Sequence, residues 1–206
     1  MSWIIGAVGE KIDLKILDNL KTLSKQSDLS FESRQLVLIS GGIKETRYLN
    51  VTSESPSQGW FVSGIGIDYS EQKFKLMSKN DWASFFSKTI EANFNHLNGH
   101  FITIQWNSEE VTFNTDQLGL RYLYFTESSP CQFIFSTRLD WISKLNKKCE
   151  IDFHEFGSQW LLQNKISLNS TVTETSLISQ GGKATYLKGS LSTSNSPWSP
   201  LETEYS

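Results

Sequence analysis

Residues 97–125, LNGHFITIQWNSEEVTFNTDQLGLRYLYF, indicate most clearly how this chain folds. The alternation of apolar and polar residues from Phe101 to Trp106 predicts a strand with one apolar face. A polar turn follows, Val111 to Asp116 runs back, and Leu120 to Phe125 leaves as an aromatic strand. With the turn signal at Asn98-Gly99, the stretch predicts an antiparallel β-meander.

The same stretch carries spaced residues that resemble a known family. L-N-G-x-F, a Trp further along the strand, and then D-x-x-G-x-x-x-L-Y occur here in order. This pattern is similar to the glutaminase-like N-terminal domain of asparagine synthetases, which are class II glutamine amidotransferases of the N-terminal-nucleophile hydrolase group. An unrelated antiparallel hairpin is the alternative, because hairpins with these periods are common.

The order of elements predicts an α+β protein with antiparallel sheets. The resemblance implies more, namely an αββα sandwich in which two antiparallel sheets stack between helical layers. At 206 residues the chain suits one domain. We expect that domain over residues 1–189. Residues 190–206, rich in Ser, Thr and Pro, predict a flexible tail or linker.

Composition excludes several classes of function. The net charge is −3 and no long basic patch occurs, so we expect no nucleic-acid partner. No apolar segment is long enough to cross a membrane and no export signal is visible, so we expect a cytoplasmic protein. His96 and His100 straddle a turn signal, and Cys131 and Cys149 are isolated; we expect no metal and no cofactor.

The resemblance places the catalytic nucleophile at the amino end. The family begins M-C-G-I-x-G, and its Cys attacks the glutamine side-chain amide after the initiator Met is removed, with its own α-amine as base. This chain begins Met1-Ser2-Trp3, so Ser2 is the candidate nucleophile. A hydroxyl is less nucleophilic than a thiol near pH 7, and Trp3 stands where the family has a small Gly.

The candidate substrate-binding residues also come from the resemblance. The family's N-G-E motif, which supplies oxyanion contacts, aligns with Ser63-Gly64. Arg47 aligns, one residue out of place, with an Arg that grips the substrate carboxylate. Asp81 aligns with an Asp that binds the α-amine, although a first-turn acid is its simpler interpretation. We expect structural roles for four motif residues: Asn98, Gly99, Asp116 and Gly119.

Three functions remain open from the sequence. The first is a degenerate glutaminase-like domain that acts as scaffold or partner of an asparagine-synthetase-like, ATP-dependent amide-forming domain or subunit, with a small amide such as glutamine as a candidate ligand. The second is a Ser2-dependent amidohydrolase acting on glutamine or a related amide, which needs Met1 to be removed. The third is an unrelated binding module that uses a Trp-rich surface, which needs three tryptophans exposed together: Trp3, Trp60 and Trp82.

Overall fold

A computed structural model describes residues 2–51, 56–70, 74–88, 94–146, 148–162, 169–178 and 180–195. Four helices and thirteen strands lie in these ranges. The helices are α1 Leu14–Leu23, α2 Lys79–Lys88, α3 Leu139–Leu145 and α4 Phe153–Leu162. The strands are β1 Trp3–Gly9, β2 Leu29–Glu32, β3 Leu36–Gly41, β4 Arg47–Val51, β5 Gly59–Asp68, β6 Lys75–Leu76, β7 Leu97–Trp106, β8 Glu110–Thr115, β9 Leu123–Ser129, β10 Gln132–Ser136, β11 Ser176–Ile178, β12 Gly182–Leu187 and β13 Ser190–Asn195.

The strands form two antiparallel sheets. The first sheet has six strands in the order β11-β9-β10-β1-β3-β2. The second has seven strands in the order β13-β12-β8-β7-β5-β4, and β6 pairs with β5. Strand β1 alternates between two apolar environments: Ile4 and Val8 face the second sheet, whereas Ile5 and Ala7 face the helices. A strand that is covered on both faces needs apolar residues on both, which explains the continuous apolar run at the amino end.

Helices cover the outer faces of both sheets. Leu17 and Leu20 of α1, with Trp141 and Ile142 of α3, pack against the first sheet. Trp82 of α2 packs against the second sheet and is fully buried. The layers are therefore helix, sheet, sheet and helix, which confirms the expected αββα sandwich. No helix in the described ranges is long and apolar enough to cross a membrane.

Residues 97–125 differ from a simple meander in their last strand. Strands β7 and β8 pair with each other, and the Asn107 side chain accepts the backbone N–H groups of Glu109 and Glu110 in the turn between them. Strand β9, however, lies in the first sheet and pairs with β10 and β11. Asn98 and Gly99 lie inside β7, opposite β5, and not in a turn. The third strand was predicted over Leu120 to Phe125 and overlaps β9 only at residues 123–125. Its predicted partner was wrong, because the connection after β8 crosses between the sheets.

Two edge strands were missed by the sequence analysis. Leu29–Glu32 pairs with β3, although no strand is predicted there. Residues 190–195 were assigned to a flexible tail, but they pair with β12 as strand β13. Leu29 and Phe31 alternate with polar residues in β2, but four residues are too short a run to identify a strand. In β13, Leu191 is the one apolar residue, so no hydrophobic period marks that strand. Residues 196–206 lie outside the described residues, and the domain boundary stays a prediction.

Tryptophan exposure bears on the binding-module hypothesis. Trp60 and Trp82 are buried and Trp3 is half-buried, so these three do not form an exposed surface. Trp60 and Trp82 instead pack with Phe86 between α2 and the second sheet. The condition that the binding-module hypothesis set for these three tryptophans is therefore not met.

The contact between the two sheets should be sensitive to a single truncation. Phe113 is fully buried, and its ring centroid lies 5.0 Å from that of Phe125 and 4.9 Å from that of Phe135. Phe113→Ala removes contacts on both sheets and should lower the free energy of unfolding by about 3–5 kcal/mol. Urea unfolding followed by circular dichroism measures the change.

Phe74→Ala is the matched control, because Phe74 is 86% exposed. We expect it to change the free energy of unfolding by no more than about 0.5 kcal/mol. Equal losses in the two variants would contradict the assignment of Phe113 to the core between the sheets.

Candidate functional site

The Ser2 hydroxyl lies in a closed cluster of polar side chains. Ser2 is 5% exposed. Its Oγ accepts hydrogen bonds from Thr46 Oγ1 and Ser63 Oγ, each at 3.2 Å. Both terminal nitrogens of Arg121 also lie 3.4 Å from this oxygen. We refer to Ser2, Thr46, Ser63 and Arg121 as the Ser2 cluster.

Four separate segments bring the Ser2 cluster together at one end of the two sheets. Ser2 precedes β1 in the first sheet, and Ser63 lies on β5 in the second. Thr46 lies in the short 3-10 turn before β4, whose first residue pairs with Ser63. Arg121 lies in the connection from β8 to β9, which crosses between the sheets. The site is therefore a product of the sandwich and not of one local motif.

Arg121 joins the two sheets at this site. Its side chain is buried, with Nη1 donating to the Ser63 carbonyl oxygen at 2.9 Å and Nη2 donating to the Ser2 carbonyl oxygen. Burial lowers the pKa of Arg121 to about 10, while the nearby Asp116 carboxylate opposes that shift. The guanidinium therefore remains charged at neutral pH, directly beside the Ser2 hydroxyl.

Asp116 holds the connection that carries Arg121. It is fully buried, and its carboxylate accepts the backbone N–H groups of Leu120 at 3.0 Å and Arg121 at 3.2 Å. Burial raises the pKa of Asp116, and these two backbone hydrogen bonds act against the rise. Gly119 has a φ of 63°, and a Cβ there would lie 2.6 Å from the Gln180 backbone nitrogen. The tight connection therefore needs glycine at this position.

Gly64 follows Ser63 at a point of close approach between β5 and β7. Its φ is 125°, and a Cβ would lie 2.0 Å from the His100 carbonyl oxygen. No side chain fits there without a backbone shift. On the neighbouring strand the Asn98 side chain accepts the Gly99 N–H at 2.7 Å. The structure thus brings Ser63 and Gly64 next to the amino end, as their alignment with the oxyanion motif requires, but their role in binding stays a prediction.

Arg47 lies beside the cluster, but its guanidinium is engaged elsewhere. Nη1 and Nη2 donate to the two carboxylate oxygens of Asp28 at 2.6 and 2.8 Å. The carbonyl oxygens of Gly42 and Ile43 accept further hydrogen bonds from the same side chain. The Arg47 hydrogen bond lowers the pKa of Asp28. A substrate carboxylate would have to displace Asp28, and substrate binding by Arg47 stays a prediction.

Asp81 lies at the start of α2, and its described contacts are local. Its carboxylate accepts the N–H and the hydroxyl of Ser78, at 2.9 and 2.6 Å, and pairs with Lys75 Nζ at 2.6 Å. The Ser78 hydroxyl in turn accepts the Asp81 N–H at 3.3 Å, which completes a reciprocal cap at the helix N-terminus. These contacts account for an acid at this position without a ligand. Binding of a substrate α-amine by Asp81 stays a prediction.

The sequence analysis missed Thr46 and Arg121. Both side chains reach the Ser2 hydroxyl, but they come from distant parts of the chain and carry no motif of their own. Arg121 lies two residues after the glycine of D-x-x-G, which is the one sequence signal that could have drawn attention to it. In the described part of the chain, no group of three His, Cys, Asp or Glu residues could hold a metal ion.

The arrangement limits which chemistry Ser2 can perform. The described contacts of its hydroxyl are two other hydroxyls and one guanidinium, so neither a carboxylate nor an imidazole is placed to take its proton. A base would have to be the α-amine of Ser2 itself, which is free only after Met1 is removed. The guanidinium would stabilise negative charge on the oxygen, but it also occupies the space beside it.

Comparisons with known proteins agree with the fold. No family model matches the sequence, and no curated protein matches it. A solved structure described as the allosteric regulatory enzyme of purine biosynthesis is similar, with a TM-score of 0.55 and 10% identity over 94% of this chain and 48% of that chain. Glutamine phosphoribosylpyrophosphate amidotransferase from B. subtilis, complexed with ADP and GMP, is also similar, with a TM-score of 0.51, 10% identity and coverage of 94% and 49%.

These similarities show the fold, because identity is too low to carry more. The chain spans about half the length of the solved structures it matches. The glutaminase-like fold expected from residues 97–125 is confirmed by the likeness to a glutamine amidotransferase. The specific link to asparagine synthetases and the loss of catalysis stay proposals.

Asp116→Ala should destabilise the protein strongly. The substitution leaves two backbone N–H groups without their acceptor and removes the negative charge near the buried Arg121 guanidinium. We expect a loss of about 3 kcal/mol in the free energy of unfolding, measured by urea unfolding. Asp140→Ala is the control, because Asp140 pairs with Arg138 at the surface and should cost at most about 1 kcal/mol. A small loss for Asp116→Ala would show that the connection is held by other contacts.

Asp81 should make stability depend on acid pH. Hydrogen bonds from Lys75 and Ser78 lower the pKa of Asp81 from 3.8 to about 2 in the folded protein. Since the folded pKa is depressed, the stabilisation is present above the unfolded value and is lost as the pH falls through the folded value. Asp81→Ala should cost about 1 kcal/mol at pH 7. That difference from wild type should shrink as the pH falls from 3.8 to about 2, measured by urea unfolding at each pH. A pH-independent difference would contradict the cap.

Proposed function

We propose that this chain is a catalytically inactive glutaminase-like domain that acts as scaffold or partner of an ATP-dependent, amide-forming enzyme resembling asparagine synthetases. The observation that carries the proposal is the closed Ser2 cluster. The fold and the position of the nucleophile are kept, but the attacking oxygen is buried among side chains of the same chain.

Access to Ser2 is the first argument. A reacting carbonyl carbon must come within about 3–3.5 Å of the nucleophile in an aligned geometry. Three side chains already lie 3.2–3.4 Å from the Ser2 Oγ. An amide substrate would have to displace Arg121, whose guanidinium is held by the carbonyl oxygens of Ser2 and Ser63. Breaking these buried charge-assisted contacts opposes substrate entry.

Activation of Ser2 is the second argument. A serine needs a well-placed base, whereas a cysteine is partly ionised at neutral pH. The hydroxyl's described partners supply hydrogen-bond donors and a positive charge, and neither removes a proton. Replacing the family's Cys by Ser therefore lowers reactivity without a compensating base.

Substrate capture is the third argument. The family's oxyanion Asn is replaced by Ser63, whose hydroxyl donates to Ser2 and whose carbonyl accepts from Arg121. Loss of one oxyanion donor costs about 10²–10³ in rate. The Arg47 guanidinium, which would grip the substrate carboxylate, is paired with Asp28 through two hydrogen bonds. The oxyanion Asn is thus substituted and the Arg for the substrate carboxylate is engaged, while Gly64 is kept.

A partner role follows from the resemblance and from the length comparison. In asparagine synthetases this domain accompanies an ATP-using domain that forms the amide through an acyl-adenylate. The similar solved structures have about as much chain again outside the matched half. A domain that keeps the fold without a working nucleophile can still support such a second domain or subunit structurally.

One observation favours a second candidate, a Ser2-dependent amidohydrolase. The Arg121 guanidinium lies where it would stabilise a Ser2 alkoxide, and a neighbouring positive charge also favours the neutral form of the Ser2 α-amine. This activity needs Met1 to be removed. Intact-protein mass spectrometry shows whether Met1 is removed. If Met1 is retained, Ser2 has no free α-amine that could act as the base.

Glutamine hydrolysis tests the proposal. The purified chain should release ammonia from glutamine at the same background rate as Ser2→Ala, with mass spectrometry reporting the state of Met1 in both. Ser2→Cys should stay near background because the cluster remains closed. Hydrolysis by wild type that Ser2→Ala abolishes would overturn the proposal and establish the amidohydrolase.

A second assay tests the partner role. An asparagine-synthetase-like protein from the same genome, or the remaining part of a longer polypeptide that contains this domain, is assayed for ATP-dependent amide formation with ammonium as nitrogen donor. We expect addition of this domain to raise the rate on the order of tenfold. Phe113→Ala, which weakens the sandwich, serves as the control domain. An unchanged rate would contradict the scaffold role.

A further inference from the structure

Helix α4 turns an apolar face away from the rest of the chain. Phe153, Phe156, Gly157, Trp160 and Leu161 follow the i, i+3, i+4, i+7, i+8 spacing that places residues on one side of a helix. Phe153 is 77% exposed, Phe156 48%, Trp160 74% and Leu161 81%. Apart from the backbone of its own helix, no atom of the described residues would lie within 4 Å of a Cβ added to Gly157. We call these five residues the α4 face.

The polar side of the same helix faces the protein. Asp152 caps the helix by accepting the N–H groups of His154 and Glu155, and the Glu155 carboxylate accepts a hydrogen bond from the Asn169 side chain at 3.0 Å. Glu155 and Ser158 are half-buried. A surface helix normally buries its apolar stripe and exposes its polar side. Helix α4 has the reverse orientation, so the α4 face needs a partner that the described chain does not supply.

We propose that the α4 face is the contact between two copies of this chain, joined as an antiparallel helix pair that crosses at Gly157. Phe153 and Leu161 each lie four residues from Gly157. A two-fold axis at Gly157 therefore sets Phe153 of one copy against Leu161 of the other. Symmetric pairing of one patch with itself is the commonest form of assembly.

Gly157 supports a close helix crossing. Glycine within a helix is less favourable than alanine, because it loses more conformational freedom on folding. Nothing within the described chain approaches Gly157, so packing inside the domain does not explain it. A second helix that crosses at this residue does explain it, since the missing side chain lets the two backbones approach.

The size of the α4 face suits a small dimer. With about 150–250 Å² for each fully exposed aromatic side chain, the exposed parts of its four large side chains come to roughly 500 Å². Two copies would bury roughly 1,000 Å² in total, which is about the lower limit for a specific interface. Phe156 and Trp160 already stack on each other, with ring centroids 6.3 Å apart and an interplanar angle of 23°. Their ordering therefore costs less on association.

Charge does not oppose the contact. Glu155 is the one formally charged residue between Phe153 and Leu162, and it is turned towards Asn169. Closing the α4 face on a second copy therefore brings no like charges together. The antiparallel arrangement also sets the positive end of each helix dipole near the negative end of the other.

Sedimentation equilibrium over a hundredfold range of protein concentration tests the proposal. Wild type should show a monomer–dimer equilibrium, and Trp160→Glu should raise the dimer dissociation constant by about a hundredfold. Phe74→Glu is the matched control, since Phe74 is also exposed, at 86%, but lies outside α4. It should leave the dissociation constant unchanged. Circular dichroism spectra of both variants should match wild type.

Cross-linking tests the predicted symmetry. In a background where Cys131 and Cys149 are replaced by Ser, the double variant Phe153→Cys/Leu161→Cys should form a disulfide-linked dimer under mild oxidation, because the two-fold axis sets residue 153 of one copy against residue 161 of the other. Phe74→Cys in the same background should stay monomeric on a non-reducing gel.

Each outcome decides for or against the α4 dimer. A monomeric wild type at all concentrations would overturn it and leave the α4 face to a different protein or to a lipid surface. A dimer that survives Trp160→Glu, or one that cross-links through Phe74→Cys but not through Phe153→Cys/Leu161→Cys, would also overturn it. Both experiments are independent of glutamine hydrolysis, so their result does not depend on the proposed function.

Discussion

The structure of the site depends on one buried guanidinium between the two sheets. Arg121 binds the carbonyl oxygen of Ser2, which leads into the first sheet, and that of Ser63, on the second. Asp116 holds the connection that places it there. A buried cation is costly unless its hydrogen bonds are made, so this contact fixes the spacing of the sheets at the amino end. The same guanidinium lies directly beside the Ser2 hydroxyl.

Under the proposed function, the site would differ from one in which a single catalytic residue had been replaced. Replacing Cys by Ser would by itself leave an open pocket with a weaker nucleophile. Here the hydroxyls of Thr46 and Ser63 and the Arg121 guanidinium all converge on Ser2, while Arg47 is paired with Asp28. Groups that could have contacted a ligand contact each other instead. Such mutual pairing stabilises the fold and agrees with a role in which the domain supports a partner.

Local pattern predicted much of the fold, and long-range contacts explain most of what it missed. The apolar alternation within residues 97–125 predicted β7 and β8, because each has a buried face. Strands β2 and β13 lie at sheet edges, where β2 is only four residues long and β13 is mostly polar, so their signal is weak. The resemblance identified Ser2, Ser63 and Gly64, which the fold brings together. The sequence did not point to Arg121 or Thr46, because they reach Ser2 only through the crossing of the chain between the sheets.

Alkylation of Ser2→Cys measures most directly whether the Ser2 cluster is closed. The native variant is treated with iodoacetamide, and mass spectrometry compares modification at residue 2 with modification at Cys131, which is exposed. We expect residue 2 to react at least about a hundredfold more slowly than Cys131 in the native protein, since local opening must precede reaction at a buried thiol, and equally fast in urea. Native reaction of residue 2 at the rate of Cys131 would contradict the account.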